Sequence, residues 1–326
     1  MQQRDCSQES AGIYPQQRLK GDLPLNIINY KKEMGTPTKP GIYNNLPYSV
    51  YHVIPAIRST YLKKLDECPS SALIDLKETK ALKLGRCGHS LILEGTEAFN
   101  LEYAVVPDTP VFKLNKNTNE YKTAYANFQN ENIGKIIIPD SSVKDPDKSD
   151  LEMLRAIKHN LMLHPTARKI ISERPVEESI LWVDKETGEL CKIRTDIAPF
   201  ESLRAIGDLK LVEDASEYGF GQAIRKYGYF LSMSMYLEGA SIAYGEHFDV
   251  AFFICGEKES HMVAVHELDS DYIEHGTNEF HRLLRLYKQR KEDVNPETGE
   301  KGWFMPWQTG GCIVQRFPTY LKGSSS

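Results

Sequence analysis

The run "RTDIAPFESLRAIGDLKL", residues 194–211, sets Asp196, Asp208 and Lys210 into two strand-like segments whose neighbours are largely apolar. An uncompensated ion buried in a sheet costs several kcal/mol, so a chain that folds these segments must place a counter-charge, a metal or a ligand beside them. Side chains alternate along a strand; Lys192, Arg194 and Asp196 therefore share one face, and Asp208 and Lys210 share a face of the next strand. If the two strands pair, two carboxylates and up to three cations meet on one side of the sheet. Acids that close raise each other's pKa unless a divalent cation sits between them. Mg²⁺ suits such a site, because it takes a few carboxylate oxygens and keeps waters that can attack a phosphate. Lys210 would then stabilise charge developing on phosphoryl oxygens. A plain alternative stands beside this one: Asp208 and Lys210 form a strand-end ion pair, and Asp196 caps a turn.

The chain of 326 residues is 40% hydrophobic, enough for a substantial core, and its net charge of −5 gives no global sign of nucleic-acid binding. Any phosphate-binding surface must be a local patch or be built around bound cations. The cysteines, Cys6, Cys68, Cys87, Cys191, Cys255 and Cys312, are scattered singly, without zinc or iron–sulfur spacing. They read as reduced, structural thiols of a cytoplasmic protein. The polar N-terminus lacks an apolar leader core, and no run is long enough to span a membrane. A phosphate loop of the G-x-x-x-x-G-K-[ST] type, a G-x-S-x-G elbow and an H-E-x-x-H zinc motif are all absent from the sequence. His52, His89 and His261 stand apart from one another, and each alone reads as a structural histidine.

Residues 1–40 are rich in Gln, Lys, Gly and Pro and read as a flexible arm; 41–290 form the folded domain; 291–326 are a C-terminal extension. "ALKLGRCGHSLILEG" predicts a helix carrying His89, and residues 108–150 a surface excursion around a short strand at Ile136 to Ile138. "DLEMLRAIKHNLMLH" predicts a helix that ends before Pro165. "ESILWV", "CKIRTDIAP" and "AIGDLKL" follow as strands, the first two joined by the turn "DKETGEL". "SEYGFGQAIRKYGYFLSMSMYLEGA" predicts one long helix, followed by strands "DVAFFIC" and "HMVAVHEL" and a last amphipathic helix. The expected fold class is α/β, a mixed central β-sheet flanked by helices.

Several ordered blocks together resemble the PD-(D/E)xK nuclease superfamily, and within it the RecE-type phage and prophage exonucleases. They are "GIYNNLPYSVYHVIPAIRSTYLKKLDECPSSAL", the G-x-x-x-H-x-x-x-L-E pattern of Gly85, His89, Leu93 and Glu94, "ESILWVDKETGELCKIRTDI" with "IGDLK", and "EDASEYGFGQAIRKYGYFLSMSMY". The resemblance covers roughly residues 41 to 290. It implies a PD-(D/E)xK core in which His89, Asp196, Asp208 and the Leu209 carbonyl hold Mg²⁺ or Mn²⁺ and Lys210 is the catalytic lysine. Glu177, or Glu178 in its place, is a further metal candidate, and Arg194, Tyr229 and Tyr236 would face the DNA. The implied activity is 5′-to-3′ degradation of linear double-stranded DNA, leaving a 3′ overhang for a single-strand annealing protein. A homo-oligomeric ring around the duplex and a location in the bacterial host cytoplasm are implied with it. Alternatives on the same core are an endonuclease and a DNA-binding module without turnover. Two departures bear on how the DNA end is seated: Ser232 stands where a Gln is usual four residues before Tyr236, and Leu211 and Val212 replace a usual Thr pair.

Overall fold

A computed structural model describes residues 24–68, 79–107, 109–138, 150–172, 176–200, 204–294 and 299. The elements, in chain order, are β1 (Ile27–Asn29), β2 (Gly41–Asn44), α1 (Tyr48–Val53), α2 (Ser59–Glu67), α3 (Lys80–His89), α4 (Thr96–Glu102), β3 (Tyr103–Val105), α5 (Asn119–Glu131), β4 (Ile136–Ile138), α6 (Asp150–Leu163) and α7 (Pro165–Ser172). Then come β5 (Val176–Val183), β6 (Leu190–Phe200), β7 (Ala205–Val212), α8 (Glu217–Tyr227), α9 (Tyr229–Tyr244), β8 (Val250–Glu257), β9 (Val263–Glu267) and α10 (Ser270–Glu292). The fold is α/β, as the sequence predicts: a mixed seven-stranded sheet in the order β1-β2-β5-β6-β7-β8-β9, with helices on both faces.

The central strands β5, β6 and β7 run antiparallel to one another, and β7 pairs parallel with β8. A parallel neighbour needs a crossover, and α8 with α9 supplies it. Their face of the sheet buries Ile180, Trp182, Ile193, Ile206 and Phe253 against Phe220, Met233, Met235 and Leu237 from the crossover and Phe280 and Leu284 from α10. On the opposite face, Ile157 and Leu161 of α6 and Ile170 of α7 pack on Ile197, Leu209 and Ile254. Local caps fix where helices begin: the Ser216 hydroxyl accepts the Gly219 N–H at 3.1 Å, and the Asp269 carboxylate accepts the Tyr272 N–H at 3.0 Å. In the β5–β6 hairpin, Asp184 Oδ1 accepts both the N–H and the hydroxyl of Thr187.

Four features differ from the sequence reading. Ile27–Asn29, inside the stretch read as an arm, pair in parallel with β2, and the Leu25 N–H donates to the Ala243 carbonyl at 2.8 Å. An edge pairing of three residues leaves too short a hydrophobic alternation to be seen in sequence. The long helix is broken at Gly228, whose left-handed φ of 58° ends α8 and starts α9. The excursion carries a helix, α5, capped by Thr118, and its strand β4 pairs with β3 in a second, two-stranded sheet. The last helix runs to Glu292, past the boundary placed at 290. The proposed extension beyond it, the start of the arm at residues 1–23, Cys6 and Cys312 lie outside the described residues, except for 291–294 and 299. Cys68, Cys87, Cys191 and Cys255 are buried free thiols. No helix among the described residues is long and apolar enough to cross a membrane.

Lys192 turns out to be a structural cation. It is 2% exposed, and its ammonium donates to the carbonyls of Tyr51 at 2.8 Å, His52 at 3.2 Å and Ile54 at 2.7 Å, the C-terminal end of α1. Burial, with Arg58 nearby, pushes its pKa down to about 8. Two of these carbonyls also accept main-chain N–H groups, Tyr51 from Ile54 and Ile54 from Ala56, and the ammonium adds a charged donor that ties α1 to β6. Replacing Lys192 by Met, close in length but without donors, should lower stability by about 3 kcal/mol. A urea midpoint equal to that of the wild type would show that the carbonyls find water instead.

Candidate active site

The sheet opens between β6 and β7. The register runs through Ile197 opposite Gly207 and is irregular between Ile197 and Phe200; on the other side of that pair, Asp196 is not laddered to Asp208. Instead the Asp196 side chain enters the gap, and its Oδ2 accepts the Leu209 N–H at 2.7 Å. The Leu209 carbonyl lies 3.0 Å from His89 Nε2, and His89 Nδ1 lies 3.2 Å from Asp196 Oδ1. Both main-chain groups of Leu209 in β7 are thus served by side chains rather than by the neighbouring strand. His89 reaches it because α3 lies close on β7 at Gly88, where a Cβ would come within 2.7 Å of Leu211 Cδ1.

Asp208, 5% exposed, forms an ion pair with Lys210 on the same strand, and Lys210 Nζ lies 5.3 Å from the Tyr229 ring centroid. Tyr236, two turns further along α9, is close enough for Asp208 and Asp196 to act on its hydroxyl. Burial pushes the Asp208 carboxyl up to about 6; Asp196 adds to the shift and Lys210 opposes it. Asp196 moves the other way: burial works against its charge, but His89, Lys210 and the Leu209 N–H outweigh it and hold the carboxyl low. Burial likewise works against a charged His89, yet Asp196 raises its pKa overall. Lys210 is held protonated by Asp208 and Asp196 in spite of burial.

His89, Asp196, Asp208, Leu209 and Lys210 are therefore brought together, and Tyr229 and Tyr236 line the same cleft. The carboxylates act on each other across the gap rather than as a facing cross-strand pair, and of the three cations expected there only Lys210 is present. Lys192 serves α1, as described. Arg194 is engaged by Glu177, by the Leu46 carbonyl at 2.6 Å and by Ser179 Oγ at 3.2 Å, not turned to the cleft as expected. Glu177 and Glu178 diverge: Glu177 lies on the Arg194 side, whereas Glu178 accepts hydrogen bonds from the Tyr244 hydroxyl at the end of α9. Glu177 has a left-handed φ of 60°, a conformation that costs a non-glycine residue on the order of 1 kcal/mol and is held here by the Arg194 pair. His52 bonds to Arg58 and His261 turns the β8–β9 connection; neither lines the cleft.

One residue of the helical motif gains a role in the fold. After His89 the helix widens into a π turn over Ser90–Glu94, closed by the Gly95 N–H on the Ser90 carbonyl at 3.0 Å. Residues five apart on a continuous α-helix point about 140° apart; the wider turn brings Glu94 back toward the histidine's side. Burial, with Glu177 and Glu102 nearby, pushes its carboxyl up to about 7, and His89 and Arg194 act in the other direction. Glu94 belongs to the same electrostatic cluster, and the only signal for it in the sequence was its place in the motif.

The donors present suit a hard divalent cation. His89, Asp196 and the Leu209 main chain are in contact, and the Asp208 carboxylate, paired with Lys210, acts on Asp196 across the gap. Asp196, Asp208 and the Leu209 carbonyl would hold such an ion, with His89 able to join them.

A family described as "PDDEXK-like domain of unknown function (DUF3799)" matches residues 59–303, which include every residue of this site. No curated protein matches the sequence. Among solved structures, a Eubacterium rectale protein provisionally named an exonuclease, with a crystal structure at 2.19 Å, matches with a TM-score of 0.47 and 13% identity over 86% of this chain and 99% of that one.

Divalent metal should stabilise the fold through these donors. Millimolar Mn²⁺ or Mg²⁺ is expected to raise the melting temperature of the wild type by mass action, and Asp208→Asn to remove most of that shift. A full shift in the variant would place the ion elsewhere.

Proposed function

The chain belongs to the PDDEXK-like family of the preceding comparison, and on that premise we propose that it is a metal-dependent deoxyribonuclease acting on the ends of linear double-stranded DNA. The observation that carries the reading is the main chain of Leu209 clasped by Asp196 and His89, with Asp208 and Lys210 on either side of it along β7. An ion pair at a strand end needs no such arrangement; a site that must present two acids and an amine to one phosphate does. When bound, a divalent ion supplies Lewis acidity and an activated water.

The chain's own residues supply the rest. Lys210, kept charged by Asp208 and Asp196, is positioned to neutralise charge that develops on the phosphoryl oxygens. Tyr229 and Tyr236 form one wall of the cleft, where aromatic faces can take the sugar or base beside the cut. His89 orients Asp196 by its hydrogen bond and leaves that carboxylate ionised. The finer reading is a 5′-to-3′ exonuclease that uses Mg²⁺ or Mn²⁺ and leaves 3′ overhangs for a single-strand annealing protein, working as a ring of subunits. It is supported by the sequence blocks given above, which resemble those of RecE-type enzymes of phages. A ring would reconcile a basic inner channel with the acidic total charge.

Linear duplex DNA labelled separately at its 5′ and 3′ ends, incubated beside a closed circle with Mg²⁺ and with chelator, tests this. Metal-dependent release of the 5′ label from the linear form alone is the expected result; cutting of the circle would make the protein an endonuclease, and no cleavage with either metal would leave a DNA-binding module. Asp208→Ala should abolish cleavage while duplex binding persists. Lys210→Ala should lower turnover about a hundredfold or more and keep the metal-induced melting shift; unchanged turnover would remove Lys210 from the chemistry.

A further inference from the structure

Lys63, on the second turn of α2, sits across the cleft from Lys210. Its ammonium donates to Ser232 Oγ at 2.8 Å, and that hydroxyl in turn donates to Ser59 Oγ at 3.2 Å. The proton of Ser232 is thereby committed to Ser59, and a lone pair faces the lysine. The stem of Lys63 crosses the break between α8 and α9, with Cε 3.3 Å from where a Cβ on Gly228 would stand. Its ammonium lies 5.9 Å from the centroid of the Tyr229 ring that Lys210 approaches to 5.3 Å. Helix break, serine pair and shared aromatic ring together hold a second ammonium beside the catalytic lysine.

The two lysines differ in one respect. Lys210 is paired with Asp208, whereas among the described residues no carboxylate lies within ion-pair distance of Lys63. Burial and the neighbouring Lys210 push the Lys63 pKa down to about 8, with Asp208 opposing. A mostly buried cation without an acid partner, facing a cleft of about 790 Å³ that also holds Arg86 and Lys226, is stabilised by any anion that enters.

Resting on the nuclease reading above, we propose that Lys63 contacts the substrate: its ammonium, steered by Ser232, binds a non-bridging oxygen of a DNA phosphate lying in the cleft beside the one served by Lys210. The competing account is a tie between α2 and α9 in which the ammonium is merely a hydrogen-bond donor to Ser232. The two accounts part on charge. Lys63→Gln keeps a donor and loses the charge; Lys63→Arg keeps both.

The test uses the full chain, a blunt linear duplex oligonucleotide, fluorescence anisotropy in EDTA across a salt series, and cleavage kinetics in Mg²⁺. Lys63→Gln is expected to weaken binding and raise KM about tenfold, and to reduce the slope of log K against log salt by about one phosphate contact. Lys63→Arg should retain most of the affinity and the full slope. Ser232→Ala should weaken binding several-fold alone and add nothing in the Lys63→Gln background. Wild-type affinity and slope in Lys63→Gln, or equal damage in the Gln and Arg variants, would overturn the contact. Should Lys63→Gln fail to melt cooperatively, Ser232→Ala decides, and unchanged affinity there overturns the proposal. If the wild type cleaves nothing with any metal, the nuclease reading fails while the anisotropy series still decides Lys63; if it cleaves and Lys63→Gln behaves as wild type, only the role of Lys63 falls.

Discussion

The hydrogen bonding of the Leu209 main-chain N–H and carbonyl is the interaction on which the site depends. In a closed sheet the two groups would bond to β6; here Asp196 takes one and His89 approaches the other. A buried peptide left without partners would cost roughly 1–3 kcal/mol per group, so the strands can part only where side chains replace the ladder. The replacement joins structure to chemistry. The groups that make the opening tolerable are the ones that could hold an ion within it, and a main-chain carbonyl freed from the sheet becomes a ligand in its own right.

The electrostatics follow from that geometry. Asp196 and Asp208 are both buried, yet their acidities move apart, because Asp196 has His89 and a peptide N–H while Asp208 has Lys210 and the repulsion of Asp196. The two carboxyls are thus distinguished by their partners, one held ionised and the other pushed toward its protonated form. Glu94, also raised by burial and by its acidic neighbours, adds a further carboxyl beside His89. The helix distortion has a direct consequence: it puts a carboxylate where a regular helix would have pointed it elsewhere.

Not every buried charge serves the cleft. Lys192 and Arg194 alternate with Asp196 along β6, but the first is consumed by three carbonyls at the end of α1 and the second by Glu177. Both stabilise the approach of the N-terminal segment to the sheet. Lys63 and Lys210 come from distant parts of the chain and meet over one tyrosine ring. The difference is the supply of acceptors: cations surrounded by carbonyls or by a committed carboxylate are satisfied within the fold, whereas among the described residues Lys63 has the Ser232 hydroxyl and the Tyr229 ring but no carboxylate in ion-pair contact.

The α/β class, the strands that carry Asp196, Asp208 and Lys210, and the helix that carries His89 were legible in sequence, because alternation, turn residues and charges set in apolar runs are local signals. The break at Gly228 was not, since the apolar periodicity continues across it and the left-handed turn that ends α8 leaves no gap in that pattern. Strand alternation also suggested that Lys192 and Arg194 belong with Asp196, but Ile193 and Ile197 pack on opposite faces, so β6 does not keep strict alternation up to Asp196, and alternation is silent about which acceptors lie over each cation. The sequence by itself determined the elements and the kinds of charged group they carry. Which charges meet, which are spent on carbonyls, and where β6 parts from β7 were decided by tertiary structure, because burial and hydrogen-bond partners arise from segments more than a hundred residues apart, as in the contact of His89 with Leu209.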